Sequence, residues 1–89
     1  MVQMKLSLNE KEISLVLQGD DKIIDKEQWT DENNLLEKFF PIFDEMLVRN
    51  NLTIESVDEF ILDTNLPEGY TTARIAQTII KTLTFAYNS

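Results

Sequence analysis

The chain has 89 residues, 16 of them acidic and 8 basic, for a net charge of −8; that size holds one small domain, residues 1–89, with a thin core. The negative surplus argues against a direct nucleic-acid partner and against an anionic membrane surface, because both are held by Lys and Arg on phosphate. Having neither cysteine nor histidine, the sequence excludes disulfides, thiolate and imidazole catalysis and the ordinary zinc sites.

The first third reads as a β meander. Met4, Leu6 and Leu8 alternate with Lys5, Ser7 and Asn9, a period of two. Asn9-Glu10-Lys11 turns the chain, and Ile13, Leu15 and Leu17 resume the alternation up to the Gly19-Asp20-Asp21 turn. A third, weaker strand is predicted from Ile23 to about Trp29. Over residues 31–50 the period changes. Leu35, Leu36, Phe39, Phe40, Phe43, Met46 and Leu47 recur at helical steps, with Thr30 or Asp31 as cap and Asn50-Asn51 as stop. Pro41 either kinks this helix or places its true start near Phe40.

Thr53 to Asp58 connects to a fourth strand at Phe60-Ile61-Leu62, and Pro67-Glu68-Gly69 breaks the chain. Thr71 or Thr72 caps a last helix whose stripe is Ala73, Ala76, Ile79, Ile80, Leu83 and Ala86. The order is βββαβα. One strand face carries Leu6, Leu8, Ile13, Leu15, Leu17, Phe60 and Leu62; the other carries Lys5, Ser7, Glu12, Ser14, Gln18, Glu59 and Asp63, with only Val16 and Ile61 apolar. A sheet covered on both sides is apolar on both. The expected fold class is therefore α/β in two layers (α+β): a four-stranded mixed sheet with two helices on one face. The polar back face reads as that of a stand-alone unit rather than a fragment. Met1 to Lys5 shows no charged-then-apolar leader and no stretch approaches the ~20 apolar residues of a bilayer span, so a cytoplasmic location is expected.

Leu52-Thr53-Ile54-Glu55-Ser56-Val57-Asp58-Glu59-Phe60-Ile61-Leu62, followed by Leu66-Pro67-Glu68-Gly69-Tyr70-Thr71-Thr72-Ala73-Arg74-Ile75-Ala76, resembles the N-terminal lobe of the TsaB (YeaZ) family. That family shows a "GL…DLDAIAV" run and then "GPGSFTGLRIG" opening a helix. Glu37 with Phe39-Phe40-Pro41-Ile42-Phe43-Asp44-Glu45-Met46-Leu47 resembles its "E-x-LLPLIDELL" helix, interior proline included. The resemblance implies a half-lobe of the actin/Hsp70-like ATPase fold. It also implies a non-catalytic partner in the machinery that makes threonylcarbamoyladenosine (t6A) on tRNA, binding a TsaD-like subunit or a second copy through its helices. The departures fall in the phosphate loop: Leu66, Glu68, Thr72 and Ala76 replace glycines, and Leu8-Asn9-Glu10-Lys11 replaces "LDTS". Side chains and a carboxylate there oppose a phosphate cradle. No cofactor and no metal are expected. A degenerate actin-like nucleotide-binding protein, or a glycoprotease-family enzyme, is the alternative.

The candidate site is an interface. Two helices side by side on a sheet leave an outer ridge, expected at Leu36, Phe40, Phe43 and Leu47 on the first and at Ile75, Thr78, Ile79 and Thr82 on the second. Lys38, Asp44, Arg74 and Lys81 flank it. The competing reading places all three Phe in the core. Arg74, a cation in the first turn of a helix, opposes the helix dipole and is expected to pair with Glu68, Asp63 or another acid, or to meet a partner's carboxylate. The dispersed acids show no EF-hand spacing and read as solvated surface.

Overall fold

In the computed structural model of the chain, residues 1–67 and 69–88 are described, the side chain of Asn88 excepted. The alternating segments form strands β1 (Gln3–Leu8), β2 (Glu12–Gln18) and β3 (Ile23–Thr30). Asn9 closes the first hairpin: its side-chain oxygen accepts the Lys11 and Glu12 amides at 3.0 and 2.7 Å, an Asx turn. In the second, the Gly19 amide donates to the Lys22 carbonyl at 2.8 Å. Helix α1 (Leu35–Arg49) leads through a 3-10 turn, Ile54–Ser56, to β4 (Glu59–Thr64) and then helix α2 (Thr71–Asn88). The order is βββαβα, as the periodicity predicts.

The sheet runs β3-β2-β1-β4, antiparallel except for the parallel pair β1 and β4. Both helices pack on the face that carries Met4, Leu6, Leu8, Ile13, Leu15, Leu17 and Phe60, none more than 5% exposed. Phe39, Phe43 and Phe60 form the centre of this core, with Phe43 and Phe60 edge to face at 6.3 Å. On the back face Val16 is buried. Lys5 lies between it and Ile61 in register, and Lys26 lies on its other side. Lysine at such flanking positions covers apolar surface with its stem while its ammonium group stays in water.

Three helix details differ from the sequence reading. Thr30 does not cap α1, because β3 pairs with β2 along its full length and Thr30 is its last residue, opposite Glu12. A turn through Asn33 (φ 61°) follows, and Asn34 takes the cap position. Asp31 instead accepts the Asn33 amide at 3.0 Å and the Thr72 hydroxyl at 2.8 Å. That contact removes Thr72 from capping; α2 begins at Thr71, with the Arg74 amide bonded to the Tyr70 carbonyl at 3.1 Å. Helix α1 starts at Leu35 and runs through Pro41 to Arg49, so its start is not delayed to Phe40. Pro41 and Glu37 are both exposed, and Pro41 has no amide to donate to the Glu37 carbonyl. The stop at Asn50-Asn51 is as expected: Asn51 is left-handed (φ 58°) and the Leu52 amide returns to the Leu47 carbonyl at 2.9 Å.

Candidate functional site

Helix α1 turns Leu35, Phe39, Phe43, Met46 and Leu47 to the sheet and to α2. A wide apolar stripe leaves residues beyond what the sheet can cover: Leu36 is 57% exposed, Phe40 42% and Val48 76%. On α2, Ala73, Ala76, Ile79 and Leu83 are buried, whereas Arg74, Thr78, Lys81, Thr82, Phe85 and Tyr87 are exposed. Of the expected ridge, then, Leu36, Phe40, Arg74, Thr78 and Thr82 lie outside and Ile75 is half-buried. Phe43, Leu47 and Ile79 are 1%, 5% and 4% exposed and belong to the core. All three belong to the common core cluster, and Phe43 packs edge to face on Phe60 of the sheet. Ala86, expected in the buried stripe, is exposed.

Two grooves lie between the helices. One, of about 320 Å³, is lined by Leu36 and by Arg74, Ile75, Thr78 and Ile79. The other, of about 620 Å³, lies at the opposite end between Phe40, Leu47 and Val48 on α1, Leu52 and Ile54 beyond it, and Leu83 and Tyr87 on α2. The same ends of the two helices meet at each groove, so α1 and α2 run in the same direction. Phe85 and Val48 are exposed apolar residues that the sequence reading did not single out. Phe85 shares a stripe with Arg74 and Thr78 by helical spacing, and that was the available signal.

Charge rims the face with Lys38, Asp44, Arg74 and Lys81, all exposed. Arg74 pairs with no acid among the described residues; Glu68, its expected partner, lies outside them, and Asp63 faces Lys5 at 3.6 Å instead. Arg49 is engaged elsewhere. Its guanidinium donates to Asp25 at 2.8 Å and Glu27 at 3.1 Å, and the Asn50 amide joins on Asp25 at 2.7 Å. The hydrogen bond from Arg49 holds the Asp25 carboxyl below the usual carboxylate range and raises the guanidinium in turn. This clasp ties the end of α1 to β3 and is structural.

The alternative, a nucleotide site, would lie where the β1–β2 turn meets the chain after β4. Shallow spaces of about 290 and 560 Å³ are present there, lined by Asn9, Glu10, Glu12, Asp63 and Pro67 among others. Glu10, Glu12 and Asp63 outnumber Lys11 there and repel phosphate, and among the described residues no glycine adopts the left-handed backbone that builds an anion nest. Among the described residues no three acids cluster as a metal site, and no helix is long and apolar enough to cross a membrane.

No family model matches the sequence, and no curated protein matches it. Solved structures do. "YeaZ from Pseudomonas aeruginosa" superimposes with a TM-score of 0.82 at 17% identity, covering 98% of this chain and 40% of that one. A second structure, described as an uncharacterized protein with similarity to peptidase YEAZ from Pseudomonas aeruginosa, matches with a TM-score of 0.69 at 18% identity, over 98% of this chain and 39% of its own. The chain has the YeaZ-type fold over nearly its whole length and spans about two-fifths of these neighbours.

Proposed function

We propose that this chain is a non-catalytic protein-interaction module that docks through the outer face of α1 and α2. The observation that carries this reading is the exposure of Leu36, Phe40 and Val48 at two apolar grooves between the helices, with Phe85 exposed on α2 as well. Exposed apolar residues that gather at grooves mark interaction sites. Aromatic and aliphatic anchors beside grooves, with charges at the rim, are the anatomy of a protein interface. The occupants that the TsaB-like sequence and the YeaZ-type fold suggest are a second copy, in a four-helix two-fold contact, or a TsaD-like subunit of the t6A machinery. One structural neighbour is described as similar to a peptidase; this chain offers no His or Cys for that chemistry, and its proposed role is binding.

Sedimentation tests it. The wild-type chain is expected to self-associate at tens of micromolar, and Phe40→Glu with Phe85→Glu to give a folded monomer. Those residues are exposed, so unfolding is not expected, whereas Ile79→Glu, a core change, should unfold the chain. A wild-type monomer at high concentration that also fails to bind a TsaD-like subunit in calorimetric titration would overturn the reading.

A further inference from the structure

The groove at the Phe40 end of the helices is shaped by the way the chain leaves α1. Asn51, in the left-handed region (φ 58°), turns the chain back, and the Leu52 amide returns to the Leu47 carbonyl at 2.9 Å. The Thr53 amide then donates to the Ser56 hydroxyl at 3.2 Å and the Ser56 amide to the Thr53 carbonyl at 2.9 Å. These bonds fix the short turn that carries Glu55. The space so formed, about 620 Å³, falls within the size range of small-molecule sites.

Its lining is ordered by burial and by charge. Leu47 and Leu83, 5% and 4% exposed, make the floor, with Leu52 and Ile54 half-buried beside them. Phe40 and Tyr87, 42% and 47% exposed, stand at the rim on opposite helices. Asp44 follows Phe40 by one turn on the same stripe of α1, and both Asp44 and Glu55 are exposed. Neither carboxylate has an ion pair or hydrogen bond among the described residues, and no lysine or arginine lines the groove. The cations closest in sequence are turned elsewhere. Arg49 reaches β3, and Lys81, two residues before the buried Leu83, is exposed on the opposite side of α2.

An apolar floor, two aromatic rings and two unpaired carboxylates are the chemistry that recognises a cation carried on an apolar body. The body leaves water against the leucines, and the cation is held by the carboxylates and the ring faces. We propose that this groove binds a small organic cation of that class, a primary or quaternary ammonium on an alkyl or aryl body. Charge selects it. Asp44 and Glu55 repel an anion, whereas the groove at the Leu36 end has Arg74 and no acid in its lining and favours the opposite sign. A bare metal ion would leave the floor unused, and two carboxylates supply too few ligands for one. A lone lysine stem from another protein would leave most of the space to water. The site does not depend on what docks on the helical face.

The probe is 4-phenylbutylammonium at pH 7, followed by amide shift titration of the whole chain in NMR spectra. Saturable shifts are expected within residues 40–48, 52–55 and 83–87. Neutral 4-phenylbutanol and anionic 4-phenylbutanoate have the same body and should bind at least about tenfold more weakly. Asp44→Asn with Glu55→Gln should weaken the ammonium by a similar factor and leave the alcohol unchanged, which separates lost charge from lost fold. Arg74→Gln, in the other groove, should leave ammonium binding as it is. Equal binding of alcohol and ammonium would overturn the proposal. So would shifts centred on Asp20 and Asp21, or no saturation by ~10 mM ligand. An end-blocked Leu-Lys-Leu peptide that binds about tenfold more tightly than the amine would assign the groove to a protein's lysine and overturn the small-ligand form.

Discussion

Arg49 shows how one side chain joins two elements. It fixes the end of α1 to β3 through Asp25 and Glu27, and its hydrogen bond lowers the Asp25 pKa. A carboxyl held low in the folded state contributes stability that is present above its unfolded value, near 3.9, and lost as pH falls through the folded value. Arg49→Met should therefore raise the Asp25 midpoint in an NMR titration and flatten the acid limb of the stability curve below about pH 4. The α-amino group of Met1, raised by its hydrogen bond to Asp20, works in the other direction: its contribution is present below about pH 8 and fades as pH rises through the raised value. In the core, Phe39 is fully buried against Phe40 and Phe43. Phe39→Ala should cost about 3–5 kcal/mol in urea unfolding, and Leu83→Ala about 2–5 kcal/mol. Either is a large fraction of the ~5–15 kcal/mol available to a small domain. A loss under about 1 kcal/mol would place the residue outside the core.

Among the elements, α1 carries a removable defect. Pro41 sits at an exposed position inside a continuous helix. Pro41→Ala should restore the bond to the Glu37 carbonyl and stabilise the chain by roughly 1–3 kcal/mol, seen as a higher urea midpoint. No gain would mean that the proline's fixed backbone angle offsets the lost hydrogen bond at this position. The strands and helices were legible because each has one clean period: two for Met4 to Leu8 and for Ile13 to Leu17, near 3.6 for Leu35 to Leu47. Boundaries depended on pairing that local sequence does not display. Thr30 looks like a cap until β3 is seen to match the length of β2, and Thr72 looks like one until Asp31 is seen to reach it. The interface ridge was legible only in part for a similar reason. Helical spacing separates a face from its opposite, but only the assembled packing shows that Phe43, Leu47 and Ile79 go in and Phe40 stays out. The place of β1 between β2 and β4 was invisible in sequence, since strand order exists only once the sheet is assembled.

At the scale of the molecule, salt should strengthen self-association through the helices. Two copies of a chain with net charge −8 repel one another at long range, and salt screens that repulsion within ~8 Å at physiological ionic strength. Self-association through the helices should tighten as salt rises from about 20 to 200 mM in sedimentation experiments. Association that weakens instead would mean that charge attraction, and not apolar burial, holds the contact. The polar back face of the sheet lies on the side opposite the helices and away from that contact.

The parallel pairing of β1 with β4 also bears on how the chain assembles. Gln3 and Glu59 are bonded across a separation of 56 residues, whereas the β1–β2–β3 meander is closed by turns of a few residues. Loop-closure entropy penalises the distant pair first, and long-range contacts form after local ones have been secured. The meander with α1 laid on it should form the folding nucleus, and β4 with α2 should dock late. Substitutions at Leu15 or Phe39 should then slow folding, with φ-values above about 0.5, and substitutions at Leu62 or Ile80 should mainly speed unfolding. Until β4 arrives, β1 is itself an open edge, and a strand offered in trans during that interval competes with the chain's own. A strand that is interior to the finished sheet is thus, in the unfinished one, briefly a template.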